Sequence, residues 1–232
     1  PLTKPVHEEL KIPVFLLNDC SAAVYGEYRF GAGEGVENLV YVTISTGIGG
    51  GCVADNRLLF GKDGNFAEVG HTTIDLAGEL KCGCGNRGHW EAYCSGKNIP
   101  NFARTWLNKV KKTEREKSLF YKLSLSDRMN AENIFELARK GEELAVRFID
   151  EVGRFNAIGL ANITNLYDPS LITLGGTVVL KNPDLILNPI KKYLDALTFN
   201  KTPEVRITPL GENVVLYGAL ASVFDRIGFP EE

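Results

Sequence analysis

The chain has 232 residues, 44% of them hydrophobic, with 26 Lys and Arg against 29 Asp and Glu for a formal charge of −3. This is enough to fill a substantial core, and the near balance of signs excludes the broad basic field of a nucleic-acid binder. No apolar run approaches the ~20 residues that cross a bilayer, nothing at the N-terminus resembles a signal sequence, and five cysteines fit a reducing compartment, so a cytoplasmic protein is expected.

In chain order, residues 12–17 form an apolar run that follows Pro5 and a charged helical turn and stops at Asn18-Asp19; it reads as a buried strand. Residues 21–28 have helical character. Asp19 therefore sits at a strand-to-helix junction, either as a helix cap or as a base aimed into a cleft. Residues 31–37 make a Gly-rich acidic turn, and 39–45 a β-branched run typical of a central strand. Thr46-Gly47-Ile48-Gly49-Gly50-Gly51 follows at once. Strand character resumes from Cys52 around an Asp55-Asn56 turn, so the glycines are expected to connect paired strands. That context argues against a dinucleotide fingerprint and against a Walker loop, which needs a Lys-Ser/Thr pair absent here. Such a turn is either a plain hairpin or an anion site built from backbone N–H groups and the Thr46 hydroxyl.

The stretch 67–96 concentrates the rare chemistry, with two of the three histidines and three of the five cysteines. Cys82 and Cys84 flank one glycine, His89 follows five residues later, and His71 lies eleven residues before the first thiol. This is a zinc-type ligand set, although a C-x-C pair is tighter than the usual finger spacing; the alternative is two reduced buried thiols and two solvated imidazoles. Glu68 and Glu91 bracket the cluster. A metal knot that immobilises a loop carrying carboxylates suggests a substrate site held rigid from behind.

Residues 98–128 turn helical, and the mixed charge run from Lys109 to Lys117 reads as a solvated face. Asn130 is expected to cap a helix reaching Arg139-Lys140 and ended by Gly141. A longer helix starts near Glu142, with an apolar stripe of Ala145, Phe148, Ile149, Val152 and Phe155, and stops at Asp168-Pro169. Residues 170–174 form a strand ending in Gly175-Gly176-Thr177, a second place where backbone can approach a nucleotide or simply a turn. Residues 205–209 give another strand, and 214–227 a closing helix.

Together these stretches resemble the ROK family of repressors and sugar kinases, in particular its glucokinase-like members. The most specific parts are Thr46 to Gly51 with Gly61, Ala67, Gly70 and His71, and the run Cys82-Gly83-Cys84-Gly85. The resemblance implies an α/β fold of the actin-like ATPase/hexokinase (ribonuclease H-like) type, mainly the C-terminal lobe with a zinc loop at 67–96. It divides the chain into 1–30 (end of the first lobe and interlobe segment), 31–213 (the C-terminal lobe) and 214–232, which may return to the first lobe. It further implies ATP with Mg2+, a structural Zn2+, and a hexose or N-acetylhexosamine phosphorylated at its 6-hydroxyl. Asp19 matches the catalytic base. Asn18, Glu68, His71 and Glu91 match sugar-binding residues, and Thr46, Gly47, Gly49, Gly175 and Gly176 match nucleotide-binding ones. His71, Cys82, Cys84 and His89 match the metal ligands.

The sequence departs from the family pattern at four places. His89 stands where a cysteine is usual, a change zinc tolerates; Cys52 stands at an aliphatic position, and Cys20-Ser21 where Ala-Asn is common. The family's opening Asp-x-Gly-Gly-Thr phosphate loop does not occur, and Pro1 aligns well inside the usual chain. The first lobe is then expected from an omitted segment or another chain, or is naturally absent. On that reading the chain alone is an incompetent kinase, and the closing helix exposes an apolar face of Val215, Ala219, Ser222, Val223 and Arg226 that favours a homo-oligomer or a docked partner. The other readings are a sugar-sensing regulator domain, without direct nucleic-acid binding by this segment, and a non-catalytic zinc-stabilised interaction module.

Overall fold

The structure is a computed structural model that describes residues 2–227; Pro1 and residues 228–232, the outer ends of the expected segments, lie outside the described residues. Helix α1 (Thr3–Leu10) buries none of its residues. The following run, 12–17, corrects the sequence reading: it joins none of the described strands, and Ile12 and Leu16 are 52% and 66% exposed. An apolar, β-prone run becomes a strand only where a neighbour completes its ladder, and no described strand lies alongside this one. Helix α2 (Asp19–Phe30) then begins abruptly because Asn18 caps it, its Oδ1 accepting from the N–H groups of Cys20 at 2.8 Å and Ser21 at 3.3 Å.

Strands β1 (Leu39–Ile44) and β2 (Ile48–Ala54) form an antiparallel hairpin, with Ile44 opposite Ile48. A turn at Asp55 and Asn56, both at positive φ, leads to the short β3 (Arg57–Leu58). The glycines differ from expectation, since Gly49, Gly50 and Gly51 lie inside β2 and the connecting turn is made by residues 45–47. Their reason is packing: a Cβ at Gly51 would stand 2.3 Å from the Cys20 carbonyl oxygen, so α2 rests directly on the strand.

After a 3-10 turn, Val69–His71, come α3 (Glu91–Cys94), α4 (Ile99–Lys109), α5 (Lys112–Arg115), α6 (Leu119–Ser124) and α7 (Ala131–Arg139). The long α8 (Glu143–Tyr167) follows. The caps are local: Asn130 accepts from Asn133 N–H and Glu142 from Ala145 N–H. Strand β4 (Leu171–Gly175), α9 (Thr177–Lys181), α10 (Pro183–Leu194), β5 (Glu204–Ile207) and α11 (Val214–Phe224) complete the order.

The sheet runs β3-β2-β1-β4-β5, with β4 parallel to β1 and β5 parallel to β4. Alternation along β1 sorts its side chains between two cores. Val40, Val42 and Ile44 pack with α8, α10 and the segment around Trp90, whereas Leu39 and Tyr41 pack with α2 and α11. On α11, Val215 and Val223 remain 39% and 54% exposed and Ser222 is buried, while Leu216, Tyr217, Leu220 and Phe224, outside the expected face, are exposed as well. Among the described residues no helix is long and apolar enough to cross a membrane.

Candidate active site

Four parts of the chain meet around one open cavity of about 420 Å³. The turn between β1 and β2 supplies Thr46 and Gly47, and β2 itself supplies Gly49. The start of α2 brings Asn18 and Asp19, the 3-10 segment brings Glu68 and His71, and α3 brings Glu91. Eight residues singled out in the sequence thus line a common space, although up to 73 positions separate them (91 − 18).

Asn18 spends its side-chain oxygen on capping α2, so its amide nitrogen is the donor it offers to the cavity. Asn18, not Asp19, is thus the residue that caps α2. Asp19 is the first helical residue, exposed, with Oδ1 also accepting from Cys20 N–H at 2.8 Å. Beside it the Cys20 thiol is pushed far up by burial and then by the Asp19 charge, which leaves it protonated and unreactive. Glu91 accepts from Ile48 N–H at 3.1 Å.

His71 faces two ways. Its Nδ1 lies 3.6 Å from Cys82 Sγ, while Nε2 lies 3.9 Å from Glu68 Oε2 on the cavity side. Cys84 Sγ is 3.3 Å from His89 Nδ1, and one donor atom from each of His71, Cys82, Cys84 and His89 falls within 4.8 Å of all the others. Zinc bonds of ~2.0–2.3 Å set tetrahedral N and S donors roughly 3.3–3.8 Å apart, so this donor set fits the ion with a small contraction. Burial, and then neighbouring His71, holds the His89 ring below the usual histidine range and favours the neutral form that ligates metals. Two isolated bridges, Thr73 with His89 and Lys81 with Arg87, fold the chain back on itself around the two thiols.

The model of the ROK family matches residues 1–225. The chain belongs to the ROK family. A glucokinase of Pyrobaculum calidifontis is 36% identical over 224 residues, covering 97% of this chain and 69% of that protein. The xylose repressor of Bacillus subtilis is 32% identical over 97% of this chain and 54% of its own length. The structure of a ROK family glucokinase from Streptomyces griseus in complex with glucose and AMPPNP aligns with a TM-score of 0.79 at 35% identity, covering 98% of this chain and 73% of that one. The mixed sheet with its helices is therefore like that of a ROK glucokinase, an actin-like ATPase fold.

In this ROK chain the two remaining sequence-selected glycines stand apart from the cavity. A Cβ on Gly175 would meet the Tyr41 hydroxyl at 2.3 Å, and Gly176, at φ 87, would meet the Ile44 carbonyl oxygen at 2.6 Å. They serve close packing at the end of β4 and aim the next residue, Thr177, whose hydroxyl lies 2.8 Å from Ser45 Oγ. Thr177 borders a second cavity of about 450 Å³ between α7 and α9, walled also by Asn133, Arg139 and Lys181. Ser45 lines the first cavity and touches Thr177 at the rim of the second, yet neither was singled out from sequence as a site residue. The polar Ser45-Thr46 pair closing an otherwise apolar strand was the available signal; the contact of Ser45 with Thr177, 132 positions away, was not.

Proposed function

We propose that this ROK protein is an ATP-dependent hexose kinase that phosphorylates the 6-hydroxyl of glucose or of a related hexose or N-acetylhexosamine. The observation that carries the reading is the exposed Asp19 carboxylate sharing one cavity with a dense polar wall and with the glycine turn. Asn18, Glu68, His71 and Glu91 hold the sugar's hydroxyls. A set of this density rejects an epimer, because a misplaced hydroxyl leaves buried polar groups unpaired. Asp19 takes the proton of the primary hydroxyl as its oxygen bonds to the γ-phosphorus and the bond to ADP breaks. Backbone N–H groups and the hydroxyls of the 45–47 turn face the transferring phosphoryl, and the nucleoside occupies the adjoining cavity beside Thr177 and Arg139. Mg2+ carried by ATP supplies charge neutralisation at the phosphates. His71, Cys82, Cys84 and His89 hold a structural zinc that fixes the loop bearing Glu68 and Glu91 without touching phosphate.

A coupled assay of ADP release with glucose and with a panel of hexoses and N-acetylhexosamines, run on the chain joined to a first lobe that carries the Asp-x-Gly-Gly-Thr loop, tests the proposal. Sugar-dependent turnover is the expected result. Tight sugar binding with no turnover under any donor would instead favour the regulator reading, which the likeness to a xylose repressor supports.

A further inference from the structure

Glu91 touches both halves of the site. It opens α3 two residues after the ligand-set member His89; Oε2 accepts from Ile48 N–H at 3.1 Å, and Oε1 lies 3.4 Å from Cys82 Sγ. The Ile48 amide needs such a partner. Ser45 N–H bonds to Gly47 C=O at 2.9 Å, which makes 45 and 47 a hydrogen-bonded pair, so by the alternation of an antiparallel ladder the Ile48 N–H points away from β1. Gly47 is shaped to the same contact, since a Cβ there would stand 2.6 Å from Glu91 Oε2.

The backbone beneath Glu91 is pinned by hydrogen bonds and packing. Trp90, fully buried against Gly159, donates its indole N–H to Asn156 Oδ1 at 2.8 Å and its backbone N–H to Thr72 C=O at 3.0 Å. Asn98 Nδ2 bonds the Glu91 carbonyl at 3.1 Å, and Gly96 N–H bonds Ser45 C=O at 2.7 Å. The 89–98 segment thus holds the 45–48 turn at two points, one through backbone and one through a single carboxylate.

We infer that Glu91 is a positioning residue for the phosphate-facing turn, a strut that carries the order of the His71/Cys82/Cys84/His89 knot into the backbone at Gly47 and Ile48. This deepens the kinase reading and rests on it for the word "phosphate" alone; the mechanical coupling stands on the contacts themselves. Coupling of this kind is reciprocal, so disturbing the turn must loosen the knot.

The test is amide hydrogen exchange at Ile48 in zinc-loaded protein without sugar or nucleotide. Glu91→Ala should accelerate that exchange roughly ten- to a hundred-fold, the change set by losing one hydrogen bond to a charged acceptor, while amides in α8 stay protected. Glu91→Gln, whose amide oxygen can still accept, should exchange near the wild-type rate. Gly47→Ala displaces the carboxylate from the other side and should release zinc to a competing chelator several-fold faster, though it replaces no ligand; it also serves if Glu91→Ala fails to fold. Unchanged Ile48 exchange in Glu91→Ala, or wild-type zinc release in Gly47→Ala, overturns the strut whatever the kinase assay gives. Faster exchange and faster release in a chain that shows no turnover even when joined to a first lobe would remove the kinase reading and leave the strut standing.

Discussion

At the scale of single residues, Asp19 and Glu27 show how one helix uses carboxylates in opposite ways. Asp19, at the exposed start of α2, is the proposed base. Asp19→Asn keeps its shape and the bond from Cys20 N–H but accepts no proton, so in the chain joined to a first lobe kcat should fall ~10²–10⁴-fold while glucose affinity, read by calorimetry, holds. Equal losses of binding and turnover would mark Asp19 as structural. Glu27 is fully buried, with Thr208 Oγ1 donating to one oxygen and Ala32 N–H to the other. Burial pushes its pKa up more strongly than those hydrogen bonds pull it down. The folded state therefore binds this proton more tightly than the unfolded chain does. Its contribution to stability is fully present below the ordinary glutamate pKa and is lost as pH rises through the raised folded value. Urea unfolding across about pH 4 to 7 should show that falling component, and Glu27→Gln should flatten it. A variant with the wild-type slope would mean that other groups set the pH dependence.

At the scale of elements, the tightest junction is α2 against α11. A Cβ on Gly218 would stand 1.6 Å from the Ala22 carbonyl oxygen, and one on Gly26 would stand 2.5 Å from the Val214 carbonyl oxygen. Asp225 adds a bond from the Tyr25 hydroxyl at 2.6 Å and an ion pair with Arg29. Gly218→Ala gains up to ~1 kcal/mol of helix propensity, but the obstacle is backbone, so helix separation wins and a net loss of ~1–3 kcal/mol is expected. The denaturation midpoint measures it, and an unchanged or raised midpoint would show that the helices part without cost. Elements whose ends are local were readable from sequence: Asn130 and Glu142 cap where the pattern placed helix starts, and Asp168-Pro169 ends α8. Asn18 and Asp19 were ambiguous because both are capping residue types, and only the geometry assigns the cap to Asn18.

At the scale of the whole molecule, the His/Cys cluster and the cavity share one residue, His71. About one zinc per chain is expected to survive dialysis, bound by His71, Cys82, Cys84 and His89. Cys82→Ser should lose the metal and lower both stability and sugar affinity, because His71 belongs to the knot and to the cavity at once. Well-folded protein free of zinc by elemental analysis would refute the assignment.

By itself the sequence determined the α/β character, the strands paired around the Asp55-Asn56 turn, the Asn130 cap and the four-residue His/Cys cluster. Each of these is written within one or two turns of chain or in a short loop, where spacing translates directly into geometry. Only the tertiary structure decided that residues 12–17 join no described strand, because strand formation depends on a neighbour. Only it set Gly49 and Gly51 against Cys20 of α2, Gly50 against Val69, Gly175 against Tyr41 and Gly176 against Ile44, since what a missing Cβ makes room for lies elsewhere in the chain. The same holds for the site: Ser45 meets Thr177 because β1 lies beside β4, and Glu91 meets Ile48 because the 89–98 segment folds back onto the 45–48 turn, and no local pattern encodes either approach.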